Sequence, residues 1–195
     1  MNNQSKEILG SWIAAIGTIS SAIGSTPSHF INSDLRKNLD LWGNVLQATG
    51  NALEADGQGA VSLEKLGNEI QSIGNVTVIS GLISNFEKEI EQKLIISGNL
   101  IQALGGLVSL ADELEDPTAS GQLYNIIGNL LQSIGNSLQA IAGTYELKNE
   151  QKGYKIHKNP ESLEVSGSWI QAIGSVISLI GQIKEEDNEI DVSER

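Results

Sequence analysis

The chain has 195 residues, enough for one domain, with 39% hydrophobic residues, few aromatics and a formal charge of −12. That charge argues against nucleic acid, whose binding needs clustered Lys and Arg, and against simple electrostatic docking on an anionic membrane. The absence of Cys excludes disulfides and thiolate metal sites.

One octapeptide recurs six times, and the predicted helices are organised around it. The copies are GSWIAAIG from Gly10 to Gly17, GNVLQATG from Gly43 to Gly50, GNEIQSIG from Gly67 to Gly74, GNLIQALG from Gly98 to Gly105, GNLLQSIG from Gly128 to Gly135, and GSWIQAIG from Gly167 to Gly174. A seven-residue interval is two helical turns. With the first Gly at 0°, the aliphatic residues three and six steps later fall at roughly 300° and 240°, one helical stripe. The glycines flank one edge of that stripe, the Ala/Ser at step five flanks the other, and Asn and Gln occupy the remaining arc. Twelve glycines inside helices cost roughly 12 kcal/mol against Ala, as much as the net stability of a typical domain. Close backbone approach between helices accounts for that cost. The alternatives are glycines that end short helices, and a glycine-rich β-solenoid.

In chain order, the first helix is predicted from about Lys6 to Gly24, capped by Ser5 and broken by Ser25-Thr26-Pro27-Ser28. The second runs from about Ser33 to Ala55 and ends at Asp56-Gly57-Gln58-Gly59. The third starts near Ser62 and continues to about Ile83; Ser84-Asn85-Phe86-Glu87 reads as a capping box that opens the fourth, although one long kinked rod is the alternative. The fourth reaches about Leu114. Asp116-Pro117 opens the fifth, to about Lys148, and Asn159-Pro160-Glu161 opens the sixth, to about Glu186. The expected fold is all-α: residues 1–186 form a single helical repeat domain, an antiparallel bundle or array of about six helices with heptad-spaced glycine seams, and 187–195 form a polar, disordered tail. Copies one and six are either edges of an open array or neighbours closing a bundle. The helix-packing positions are Gly10, Gly17, Gly43, Gly50, Gly67, Gly74, Gly98, Gly105, Gly128, Gly135, Gly167 and Gly174. The core is expected to be Ile, Leu and Val, and the outer face Asn, Gln, Ser and Thr.

Charges avoid the helix centres: none occurs from Ile8 to Ser33, Ile70 to Asn85, Leu94 to Ala111, Pro117 to Tyr145, or Val165 to Ile183. A neutral soluble surface, faces that pack on other copies, and hairpins that enter a bilayer are the three readings. Asn and Gln at helix centres weigh against an obligate membrane protein.

No catalytic constellation emerges. His29 and His157 stand in connections without a partner at i+4, no phosphate-binding loop is present, and Asp112, Glu113, Glu115 and Asp116 read as a solvated helix end. Lys148, Lys152, Lys155, His157 and Lys158, with Tyr154 among them, read as a solvated basic loop. Trp12 and Trp169 share one motif position and read as core filling, or as bilayer-interface residues in the membrane reading. No catalytic, cofactor or metal residue is assigned.

The GSWIQAIG and GNxIQ(A/S)IG signature resembles that of repetitive small proteins of unknown function from spore-forming Gram-positive bacteria. The resemblance spans all six copies, with departures at Thr49 and Glu69, and implies no activity. The expected function is therefore a non-enzymatic helical structural or interaction protein that self-associates or meets another protein, with no cofactor and no nucleic acid. The alternative is a membrane-active, pore-forming or amphitropic protein. The N-terminal sequence lacks a signal-peptide pattern, which points to the cytoplasm.

Overall fold

The computed structural model describes residues 2–115, 121–153 and 159–193. It contains six α-helices: α1 (Asn3–Ser25), α2 (Ser33–Gly57), α3 (Leu63–Ile83), α4 (Lys88–Glu115), α5 (Gln122–Lys152) and α6 (Pro160–Ser193). The chain is all-α, as expected, and the third and fourth helices are separate. Each helix packs on the one before and the one after, and α6 packs on α1. The bundle is thus a closed ring; Trp169 Nε1 donates to Thr26 Oγ1 across the closing joint at 3.0 Å.

Local chemistry sets the helix ends. Asn2, rather than Ser5, caps α1, accepting from the Ser5 N–H at 2.8 Å, and Asn32 caps α2 by the same bond to Leu35 N. Ser62 caps α3 through Lys65 N. The Ser84 capping box does not form: Ser84 closes α3, its N–H bonding Ser80 O, and α4 begins after Glu87, whose carbonyl accepts from Ile90 and Glu91. Pro160 is the first residue of α6, following Asn159 at φ 60°. The expected Asp116-Pro117 cap lies outside the described residues. α6 continues to Ser193, into the stretch expected to be a disordered tail; no Gly or Pro follows Gly181 to stop it. Asn32→Ala should cost about 1 kcal/mol, measured by thermal unfolding; no loss would show that α2 starts without this cap.

The ring is built from three tight pairs, α1·α2, α3·α4 and α5·α6, joined by lighter contacts between pairs. In each tight pair motif glycines stand opposite one another: Gly10 and Gly50, Gly17 and Gly43, Gly67 and Gly105, Gly74 and Gly98, Gly128 and Gly174, Gly135 and Gly167. A Cβ built on any of these would fall 2.6–2.8 Å from the facing glycine's carbonyl oxygen. Step-five residues lie at the other joints, where Ser72 Oγ donates to Ala48 O at 3.0 Å between α3 and α2.

The polarity of the ring reverses the expectation. Its buried hydrophobic residues are nearly all Ala, with Val78 and Leu179 the larger ones. The buried polar residues are amides and hydroxyls, including Asn44, Gln47, Asn75, Gln102, Asn136 and Gln171, together with the carboxyl of Glu113. The Ile and Leu stripe faces outward: Ile16 is 54% exposed, Leu104 54% and Ile173 53%. Trp12 and Trp169, expected to fill a core, lie on this outer face with Trp42. The reason is geometric. Neighbours sit at the glycine edge and at the Ala/Ser edge, about 140° apart through Asn and Gln, and in a closed six-membered ring the smaller arc between neighbours faces the axis.

Candidate functional site

Polar side chains from all six helices converge along the axis of the ring. At mid-height Gln171 on α6 is a hub. Its Nε2 donates to Gln47 Oε1 on α2 at 2.8 Å and to Gln102 Oε1 on α4 at 3.3 Å, and its Oε1 accepts from Gln139 Nε2 on α5 at 2.8 Å. All four are the residue four steps after a heptad glycine, so one register position from four helices meets at the axis. Within this knot both ends of the Gln171 amide find partners, and Gln47 Nε2 donates to Ser21 Oγ at 3.3 Å, which is what burial of Gln requires.

Copy one has Ala14 where most copies have Gln. A cavity of about 30 Å³ lies beside it, lined among others by Ser11, Gln71 and Gln132. A second cavity of about 30 Å³ shares Ser11, Glu54, Asn68, Asn129 and Ser178 with the first and reaches Glu64 and Glu113. It joins, through Glu64 and Gln182, an open vestibule of about 380 Å³ that also holds Glu7, Asp112 and Glu185. These spaces, lined mainly by polar side chains, follow one another from one end of the ring inward to Gln71 and Gln132.

That end is acidic by construction. Glu7, Glu54, Glu64 and Glu185 occupy the glutamine step of the heptads that flank the motifs, and Glu113 occupies the asparagine step. Extending the register outward from each octapeptide would have found them. The sequence reading instead took Asp112 and Glu113 as a solvated helix end. Glu113 is 9% exposed, and Asp112 Oδ1 accepts from Leu63 N at 3.0 Å, because both turn toward α3 and the axis. Gln182 Nε2 donates to Glu7 Oε2, and Asn125 Nδ2 to Glu185 Oε2. The nearby cations point away from the lumen. Lys6 pairs with Asp56 at 2.7 Å, Lys65 donates to Gly59 O, and Lys184 lies over the Tyr124 ring. The hydrogen bond and charge of Lys6 hold the exposed Asp56 carboxyl below the ordinary range.

The opposite end is mixed in charge. A recess of about 420 Å³ there is lined by Arg36, Lys37, Asp40, Glu146, Glu161 and Glu164, with others. Arg36 donates to the carbonyls of Gly24 and Ser25 at the end of α1. Of the basic loop, Lys148 and Lys152 belong to α5 and are exposed; 154–158 lie outside the described residues. His29 is exposed in the α1–α2 connection. Among the described residues no three His, Asp or Glu converge as metal ligands.

The outside of the ring completes the site. Large apolar residues are exposed on every helix, among them Ile16, Trp42, Ile73, Leu100, Ile134 and Ile173. They lie at the level where the sequence carries no charge. Between Lys93 and Asp112, α4 rises about 27 Å without a charged residue. Among the described residues, three helical spans, one from each tight pair, are long and apolar enough to cross a membrane: Asn3–Ser25, Lys88–Leu114 and Pro160–Glu185. Neither the curated proteins nor the solved structures contain a match to this chain. A family model does match, over residues 5–179, and by that match the chain belongs to the family of unknown function DUF6944.

Proposed function

We propose that the protein is a non-enzymatic, membrane-active helical barrel that sits in a lipid bilayer with its apolar belt against the acyl chains and its amide axis inside. The observation that carries this reading is the exposed Ile, Leu and Trp surface that goes right round the ring at the charge-free level. Self-association was the expected role, but an interface with another copy covers one side of a molecule. A belt around the whole circumference calls for a surrounding medium. A charge-free rise of about 27 Å also approaches the hydrocarbon thickness of about 30 Å.

The arrangement offsets part of the cost of Gln in a membrane: Gln47, Gln102, Gln139 and Gln171 bond one another at the axis, and each helix satisfies its own backbone, while both side-chain polar atoms of Asn136 and the Oδ1 of Asn75 stay buried without a protein partner. Among the described residues, only α1, α4 and α6 contain a span apolar enough to cross when judged singly. Their partners α2, α3 and α5 would enter as the second limbs of glycine-paired hairpins.

Insertion is tested with the full chain and vesicles of neutral phosphatidylcholine, alone and with anionic phosphatidylglycerol. The protein should float with both and resist alkaline carbonate. Tryptophan emission should shift blue, since Trp12, Trp42 and Trp169 are 50%, 62% and 39% exposed and would enter lipid. Protein that stays at the bottom of the gradient, with unshifted emission, would end this reading; oligomers by light scattering in the same buffer would favour the self-associating one.

A further inference from the structure

The cations of the ring are divided unequally between its two ends. The helices alternate in direction, so α1, α3 and α5 start at the acidic end and α2, α4 and α6 finish there. Contacts identify the ends: Lys6 of α1 meets Asp56 of α2 at one, and Arg36 of α2 meets the Gly24 carbonyl of α1 at the other. Among the described residues the mixed-charge end carries Arg36, Lys37, Lys88, Lys93, Lys148 and Lys152, whereas the acidic end carries Lys6, Lys65 and Lys184. All lie within about two turns of a helix end. The acids are skewed the other way, for Glu186, Asp187, Glu189 and Asp191 follow Glu185 in the last turns of α6. Between Asp56 and Glu64, the α2–α3 connection 58–62 at the acidic end holds no charged residue.

We propose that the barrel has a fixed orientation in a cell membrane: the cation-rich end, with connections 26–32 and 84–87, faces the cytoplasm, and the acidic end, where α1 starts and α6 finishes, faces outward. Lys and Arg that flank a membrane span within roughly 15–20 residues stay on the cytoplasmic side. Anionic headgroups of the cytoplasmic leaflet and a potential negative inside both hold them there. Carboxylates weigh little in that rule, but the same potential drives them outward, so both signs of charge favour one orientation. The pairing of Lys88 with Glu150 and of Lys93 with Glu89 does not alter the count, because the rule reads cations beside the spans rather than net charge. The uncharged 58–62 connection is the segment that has to cross, and it carries no charge to desolvate.

The orientation rests on the membrane reading, and the experiment separates the two. The full chain, which has no native cysteine, is produced in bacteria with one cysteine, either Ala60→Cys in the 58–62 connection or Asn85→Cys in the 84–87 connection; both positions are exposed. Carbonate-resistant recovery with the membranes is scored first: protein that is not recovered there takes down both readings. Intact spheroplasts are then treated with a charged maleimide that does not cross membranes, before and after permeabilisation. Ala60→Cys should react in intact spheroplasts, and Asn85→Cys should react many-fold less until the membrane is opened. Adding Lys37→Gln/Lys148→Gln/Lys152→Gln, all at exposed positions, leaves Arg36, Lys88 and Lys93 against Lys6, Lys65 and Lys184. With the bias removed, reaction of Asn85→Cys in intact spheroplasts should rise several-fold. If that variant fails to fold, the contrast between the two cysteine positions decides alone. Asn85→Cys reacting as much as Ala60→Cys, neither reacting before permeabilisation, or no response to the lysine changes in a folded variant overturns the orientation and leaves the membrane reading standing.

Discussion

Replacing Gly135 with leucine should destabilise the fold by more than about 2 kcal/mol, the scale of overpacking in a core that cannot relax. The first atom already decides the sign. A Cβ at Gly135 would lie 2.6 Å from Gly167 O, 2.6 Å from Gln171 N and 2.8 Å from Gln171 Cβ. Two of these are main-chain atoms of α6, so relief requires the whole helix to move, not one side chain to turn. Helix propensity pulls the other way, since an interior glycine gives up about 1 kcal/mol against alanine. Thermal unfolding followed by circular dichroism, in mild detergent, reads the balance. Gly128→Leu should behave alike, as a Cβ there would be 2.7 Å from Ser178 N and 2.8 Å from Gly174 O. A stabilised variant at either position would show that the paired helices do not approach there, and the proposed packing role of the twelve glycines would fall with it.

The second large effect is expected at the axis. Gln171→Leu removes one amide but strands three others: the Oε1 atoms of Gln47 and Gln102 lose their donor, and Gln139 Nε2 loses its acceptor. Each stranded buried group costs about 1–3 kcal/mol, so a total above about 3 kcal/mol is expected, even though leucine is the more apolar residue and the better helix former. Leu104→Gln, on the outer face, should cost well under half as much in detergent, because it strands no partner. If Gln171→Leu were neutral while Leu104→Gln unfolded the protein, the interior and exterior would have been assigned the wrong way round.

The helices were legible in the sequence because the heptad spacing of glycines fixes both the period and the two contact edges. Gly10 through Gly17 and Gly43 through Gly50 also implied antiparallel neighbours, since the breaks between them are short. Ring closure was not legible: GSWIAAIG and GSWIQAIG resemble one another whether α1 and α6 are two ends or adjacent. The facing of the ring was present but misread. The arc from Gly98 through Gln102 and Asn99 to Ala103 is the narrow one, and narrow arcs face the axis of a ring. The usual rule that Leu100 and Leu104 go inside outweighed that geometry. The acidic end was missed because Glu54 and Glu64 lie outside the octapeptides. They become visible only when the register is carried one heptad further and glutamate is found in the glutamine step.

The central claim is that amides face the axis while aliphatics face out. The lack of cysteine allows a direct measurement: single cysteines at Leu100, Ile101, Gln102, Ala103 and Leu104 of α4, each spin-labelled in vesicles. Oxygen, which concentrates in lipid, and a nickel chelate, which stays in water, are used as colliding relaxants. Labels at 100 and 104 should show high oxygen and low nickel accessibility, and the label at 102 should show low oxygen accessibility and restricted motion. The opposite phase, with 102 mobile and open to nickel and 100 and 104 shielded from both reagents, would mean a water-facing amide surface over an aliphatic core, and would contradict the account.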